Sequence, residues 1–278
     1  MQNQIKVLIP TDFSVQAEFA YIMVRKIGEK IPLEVHFLHV LPVPDTVTMD
    51  PGGNIQTCGE IDVRYVEAQR DIALRNLDNL RKAYGEAIHT DLVLGKTTDA
   101  IVRYAESHGF DLIAMGTKGA WGIKEKISGS ETQMIARHTK VPVLSLMCDR
   151  SDLEFKNVLL VHNFKETHDQ DLRILKMMVD AFGTRVHFLQ MAKTADPHEK
   201  REIENQMAEF ARANGIGGYE PHVLVDKDVE SGVIHFNQMS QMDLVCIGTH
   251  AKGGWFHSSA TEKLINHMFK PIISFHLK

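Results

Sequence analysis

The chain is written twice. Lys6-Val-Leu-Ile-Pro-Thr-Asp-Phe13 aligns with Asn157-Val-Leu-Leu-Val-His-Asn-Phe164, an offset of 151 residues, and at the same offset Val35-His-Phe-Leu38 recurs letter for letter as Val186-His-Phe-Leu189. Further on, Phe110-Asp-Leu-Ile-Ala-Met-Gly-Thr117 aligns with Met242-Asp-Leu-Val-Cys-Ile-Gly-Thr249, and Val141-Pro-Val-Leu-Ser-Leu146 with Lys270-Pro-Ile-Ile-Ser-Phe275. Four matches in the same order define a tandem duplication, at a period far beyond the roughly 20–50 residues of solenoids and propellers. Each copy must therefore close a core within about 140 residues, an ordinary domain size. The offset drops to 132 at the third match, so the first copy carries an insertion. Leu41 to Asp62, with its Pro-Val-Pro, Asp-Pro-Gly-Gly and Gly-Glu turn signals, is the place for it; the second copy has only Ala192 to Pro197 there. Polar Asp149 to Glu154 reads as a linker, giving domains 1–148 and 155–278 joined by 149–154.

Within the first copy, Val7 to Ile9, Glu34 to Val40, Thr90 to Leu94, Leu112 to Met115 and Pro142 to Met147 are short runs rich in Val, Ile and Leu. Such runs, without alternation, fit strands buried on both faces of a parallel sheet. Between them lie amphipathic stretches. Ser14 to Lys30 has an N-cap candidate in Ser14, with Ala17, Ala20, Tyr21, Val24 and Ile27 at helical spacing. Tyr65 to Tyr84 turns Ile72, Leu77 and Leu80 inward, and Asp99 to Ser107 and Glu131 to His138 supply two more helices. The order βαβαβαβαβ predicts an α/β fold: two tandem doubly wound domains, each a five-stranded parallel sheet with helices on both faces. Ligands of such sheets bind at the carboxyl ends of the strands.

Composition narrows the function. With 31 Lys and Arg against 36 Asp and Glu, the net charge of −5 offers no basic surplus for nucleic acid or an anionic membrane. Apolar runs such as Val141 to Cys148 fall well short of the roughly 20 residues of a membrane helix, and Met1 to Lys6 lacks a signal-peptide core. Cys58, Cys148 and Cys246 are scattered, with no CxxC pair, which suits a reducing compartment. The expectation is a soluble, cytoplasmic protein that binds neither nucleic acid nor membrane.

The chemistry-bearing residues gather at predicted strand ends. The fourth strand runs into Met115-Gly116-Thr117-Lys118-Gly119, and Gly129-Ser130 opens the helix that begins near Glu131. Glycines let backbone approach phosphate oxygens, and a helix N-terminus presents free N–H groups to an anion. Ser130 adds a hydroxyl donor, and Lys118, Lys124 or Lys126 can screen charge. The first strand ends in Pro10-Thr11-Asp12, whose carboxylate can accept from an adenine amino group or a ribose hydroxyl. A glycine pair of this kind also closes ordinary turns.

Ile9-Pro-Thr-Asp-Phe-Ser14, the strand ending Leu38-His-Val40, and Gly116-x2-Gly119-x9-Gly129-Ser130 together resemble the universal stress protein family, whose ATP-binding branch carries G-x2-G-x9-G-[S/T]. The resemblance covers the chain once per copy. It implies an adenine nucleotide alpha hydrolase-like fold, ATP as ligand, alone or with Mg2+, and dimerisation through the last strand. In a tandem chain that contact would be an intramolecular pseudo-dimer, with a further homodimer left open. Carried over by position, Asp12 and Val40 would flank adenine, while Gly116, Gly119, Gly129 and Ser130 would hold ribose and phosphates. Pro10, Thr11, Met115, Thr117, Lys118 and Glu131 complete the candidate site. The implied role is a nucleotide-dependent regulator of the stress response. A nucleotide-independent scaffold, or a weak ATPase using Asp12 and a divalent ion, are the alternatives. No set of nucleophile, base and orienting group appears, so no catalytic residue is assigned.

The second copy departs at each diagnostic point. His162, Asn163 and Met191 replace Thr11, Asp12 and Val40; Ala251, Ala260 and Thr261 replace Gly119, Gly129 and Ser130, and Gly248 alone persists. Each alanine adds a Cβ where backbone should meet phosphate, so this copy is expected to keep the fold and lose the site. Gly95-Lys96-Thr97 mimics a P-loop tail, but Thr90 stands where that motif needs its first glycine; Thr97 or Thr98 reads instead as a helix cap. Fifteen histidines form neither H-x3-H nor H-E-x-x-H. His250 and His257 flank the degenerate loop as weak zinc candidates, His36 and His187 read as packed within strands, and no metal site is expected. The methionines, including Met177, Met178, Met239 and Met242, read as core.

Overall fold

The computed structural model describes residues 4–117, 131–165, 172–250, 261, 264, 265 and 268–277. The first copy runs β1 (Ile5–Pro10), α1 (Val15–Gly28), β2 (Leu33–Pro42), β3 (Val47–Met49), β4 (Ile55–Thr57), α2 (Val63–Tyr84), β5 (His89–Gly95), α3 (Thr97–Ser107), β6 (Leu112–Gly116), α4 (Glu131–His138) and β7 (Val143–Leu146). The second runs β8 (Asn157–Val161), α5 (Arg173–Phe182), β9 (Arg185–Ala192), α6 (Pro197–Ala213), β10 (Tyr219–Val225), α7 (Val229–Met239), β11 (Leu244–His250) and β12 (Ile272–Leu277).

The main strands form one ten-stranded sheet in the order β10-β9-β8-β11-β12-β7-β6-β1-β2-β5. Each half repeats one doubly wound order, with its first strand between its second and fourth. In this sheet all pairings within a half are parallel. The halves meet where β7 and β12 pair antiparallel, Ser145 opposite Ile272, Leu144 opposite Ile273 and Val143 opposite Ser274. Across this seam the Ser145 hydroxyl donates to the Ile272 carbonyl and the Ser274 hydroxyl to the Val143 carbonyl, each at 3.4 Å.

Central strands are apolar on both faces because both faces are covered. Val7 and Ile9 enter a core on one side, under α1, that continues into the second copy through Phe155, Phe164 and Phe188. Leu8, between them, enters the core on the opposite side with Ile101 of α3 and Val233 of α7. β5 and β10 close the sheet at its two edges, and most of their residues are only half buried. Helix α1 starts as its sequence predicts, the Ser14 hydroxyl accepting from the Ala17 N–H at 3.5 Å, with Ala17, Ala20, Tyr21, Val24 and Ile27 buried.

Several local expectations are corrected. On α2 Val66, Ala73 and Leu77 are buried and Leu80 packs half buried against the core, whereas Ile72 is 43% exposed, because the helix presents a narrower stripe than its apolar residues suggest. Helix α3 begins at Thr97, two residues before Asp99: Lys96 stands at the N-cap without a side-chain bond, and Thr97 and Thr98 are already helical. The insertion is a small hairpin, β3 against β4, whose turn is held by Asp50 accepting from the Asn54 backbone and side chain. It seats Val47 and Ile55 with Leu41 and Val66 in a third apolar cluster. The polar stretch between the copies is anchored rather than free. Leu153 and Phe155 are buried, and the Arg150 guanidinium donates to the Phe269 carbonyl at 3.2 Å. Among the described residues no helix is long and apolar enough to cross a membrane.

Candidate functional site

The turn leaving β1 is built by side chains. The Thr11 hydroxyl accepts from the Phe13 N–H at 3.0 Å, and one Asp12 carboxylate oxygen accepts from the Ser14 N–H at 3.0 Å. These bonds hold Phe13 at a φ of 63°, a left-handed conformation uncommon for a residue with a side chain. His39 of β2 donates from Nδ1 to the Thr11 carbonyl at 2.7 Å and packs its ring 4.6 Å from that of Phe13. The second copy repeats the turn with other chemistry. His162 Nδ1 accepts from the Phe164 N–H at 2.8 Å, Asn163 Oδ1 accepts from the Lys165 N–H at 3.2 Å, and Phe164 has a φ of 52°.

Beside this turn, at the carboxyl ends of β1, β2 and β6, opens a cleft of about 530 Å³. It lies where β1 separates β2 from β6, the point at which successive connections leave in opposite directions and ligands of open α/β sheets bind. Pro10, Thr11, Asp12, Val40, Met115, Gly116, Thr117 and Glu131, all singled out in the sequence, line it together. Lys118, Gly119, Gly129 and Ser130 lie outside the described residues, as do Ala251, Ala260 and His257. Leu38, Val40 and Ile101 make one wall apolar, and Thr11, Asp12 and Glu131 supply polar groups. Burial against the cleft wall, then the nearby Asp12 carboxylate, hold the Glu131 carboxyl above its ordinary range, partly offset by a hydrogen bond with Thr97.

Sequence reasoning missed Gln16, His39, Ile101 and Thr132 as lining residues and took Thr97 only for a cap. His39 sat inside the quoted Leu38-His-Val40 string; the others reach the cleft through helices whose placement no local pattern announces. Gly116 has a packing reason of its own. A Cβ there would fall 1.9 Å from the Gln16 carbonyl oxygen, so β6 and the start of α1 touch backbone to backbone. In the second copy Met191, standing where Val40 does, is buried against Gly232: a Cβ on that glycine would lie 2.3 Å from the Met191 sulfur. A methionine thus fills space beside the strand end that the shorter Val40 leaves open.

Fold and cleft together define a doubly wound α/β protein with a ligand-sized opening at the switch point of one half. The model of the universal stress protein family matches residues 5–146, and the chain belongs to the universal stress protein family. Two universal stress proteins of Methanocaldococcus jannaschii are similar to it: MJ0531, 28% identical over 139 residues (50% of this chain, 79% of that protein), and MJ0577, 28% identical over 149 residues (50% and 92%). Over nearly its whole length the chain shares the fold of a universal stress protein from Archaeoglobus fulgidus, with a TM-score of 0.72 at 20% identity, covering 98% of this chain and 96% of that one.

Proposed function

We propose that the first copy binds an adenine nucleotide, ATP, in the cleft at the ends of β1, β2 and β6, and that occupancy regulates the protein in a cytoplasmic stress response. The observation carrying this reading is the convergence of eight sequence-selected residues on one cleft of about 530 Å³. The space and its mixed walls suit adenine against Val40 and Ile101, with Asp12 accepting from the amino group or a ribose hydroxyl. Gly119, Gly129 and Ser130 would carry the phosphates, with Lys118 screening charge, as their spacing suggests. Asp12 and Glu131 are the carboxylates that would share a Mg2+ ion; burial first, and the Asp12 charge second, raise the Glu131 carboxyl. The reading is of binding rather than turnover, since the sequence shows no set of nucleophile, base and orienting group.

The second copy is proposed to serve as structural partner: Met191, Asn163, Ala251 and Ala260 replace the residues that make the first site. The reciprocal Ser145 and Ser274 bonds at the seam support an intramolecular pseudo-dimer about an approximate twofold axis. Titration calorimetry of the full chain should find about one ATP per chain. Gly129→Val should abolish that binding while leaving thermal unfolding little changed. Unaltered affinity in Gly129→Val, or two equivalent sites, would overturn the assignment. A scaffold reading draws support from Gly116, whose contact with Gln16 is purely structural, and it predicts no binding at all.

A further inference from the structure

At the outer edge of the second half, three metal-ligating side chains meet that lie 33 to 35 residues apart in sequence or face each other across strands. His187 on β9 stands opposite Glu220 on β10, and His222 is two residues on, on the same face. His187 Nδ1 lies 3.1 Å from His222 Nε2 and 3.4 Å from Glu220 Oε2. The three ligand atoms all fall within 4.8 Å of one another. A tetrahedral cation with ligands at 2.0–2.2 Å has ligand–ligand edges of about 3.3 Å, so the two measured separations match two edges of such a site.

We propose that His187, Glu220 and His222 form a three-ligand site for a zinc-class divalent cation. The surrounding groups fit that chemistry. Asn157 Oδ1 accepts from His187 Nε2 at 3.3 Å, fixing the tautomer whose Nδ1 lone pair faces the cluster, as outer hydrogen bonds do for metal-bound histidines. The Arg185 guanidinium lies 3.4 Å from Glu220 Oε1, leaving Oε2 on the histidine side. Burial holds both imidazoles below their usual range, and His187 also lies between the opposing charges of Glu220 and Arg185. His187 is 6% exposed while Glu220 is exposed, so the cluster has a dry floor and an open mouth.

The first copy supplies an internal comparison. Glu34, His36 and His89 make a corresponding group at the opposite edge of the sheet. There Lys6 occupies the position of Asn157, and its ammonium lies 3.9 Å from the same Glu34 oxygen that bonds His36 Nε2 at 2.6 Å. In the first half the ammonium sits on the same carboxylate oxygen that meets the histidine, whereas in the second half Arg185 holds the other oxygen, Oε1, and leaves Oε2 to the cluster, so one ion per chain is expected, in the second half. The site lies near the amino ends of β9 and β10, separated from the nucleotide cleft by the strands β8, β11, β12 and β7, and does not depend on nucleotide binding.

The test uses the full chain, stripped with chelator and titrated with Zn2+ by calorimetry and with Co2+ by visible absorption. The expected result is one ion per chain and the intense d–d bands of low-coordinate Co2+. Glu220→Gln, at an exposed position on the edge strand, and His222→Ala should each weaken Zn2+ binding at least about 10-fold, and Asn157→Ala about 10–100-fold, the usual effect of losing an outer hydrogen bond. Absent binding, or binding unchanged in both His222→Ala and Glu220→Gln, would overturn the site.

Discussion

Replacing Gly116 with alanine separates the two reasons a glycine can stand at the end of β6. The new Cβ would sit 1.9 Å from the Gln16 carbonyl oxygen and 2.3 Å from its carbon. Carbon–oxygen contacts in proteins settle near 3.3–3.6 Å, so β6 and α1 must part by about 1.4 Å. Neither neighbour yields easily: Gln16 lies in the first turn of α1, whose Ala17, Ala20, Tyr21 and Val24 are buried, and Gly116 is paired with Leu146 of β7. Overpacking of this kind costs about 1–3 kcal/mol, and a backbone-to-backbone clash belongs at the upper end. At about 2–4 °C per kcal/mol for a chain of this class, Gly116→Ala should melt about 6–12 °C below the parent. Thermal unfolding followed by circular dichroism, without nucleotide, is the assay. A variant melting within about 1 °C of the parent would refute the packing argument and return Gly116 to a purely ligand-facing role.

Asp12→Asn should preserve the turn, because Asn163 already holds the same turn in the second copy, yet weaken ATP binding about 10–100-fold by losing a charged acceptor worth roughly 1.5–3 kcal/mol; calorimetry showing equal affinity would count against the role given to Asp12. Glu131, with its carboxyl raised on folding, costs stability that is absent below the unfolded value and appears as pH rises through the folded one. Glu131→Gln should therefore raise the melting temperature slightly at pH 8, by well under about 1 kcal/mol after solvent screening, with the difference vanishing at pH 4; a melting curve shifted the other way at pH 8 contradicts the assignment. Residues 1–150 expressed alone leave the β7 edge unpaired and should dimerise through it, which sedimentation detects; a half-chain that stays monomeric at high concentration argues against the seam.

The repeat made the topology legible, because two copies of one pattern leave few ways to order strands and helices. Pro10, Thr11 and Asp12 at the end of β1, and Met115 and Gly116 at the end of β6, likewise marked the strand ends at which the cleft opens. What stayed hidden was set by contacts between distant segments. Ile72 looked inward by helical spacing, yet the face α2 buries is chosen by β2 and β5 beneath it, and Ile72 is left 43% exposed. The contact of Gly116 with Gln16 joins residues a hundred positions apart. His36 and His187 read as core, and they do lie in strands; only the register of β2 with β5 and of β9 with β10 brings His89, His222 and the acids beside them.

The seam also sets an order of events during synthesis. Val143 has no strand partner on its outer side until Ser274, 131 residues later, has emerged. At roughly 5–20 residues per second, the edge of β7 waits about 7–26 s with its main-chain donors and acceptors open. Through that interval the first copy, its remaining strands already able to pair, faces neighbouring nascent chains on the same polysome that display the same edge. Arrival of β12 ends the competition in favour of its own chain, because a tethered partner is present at far higher effective concentration than a neighbour's. With both edges in one chain, this pairing does not depend on expression level.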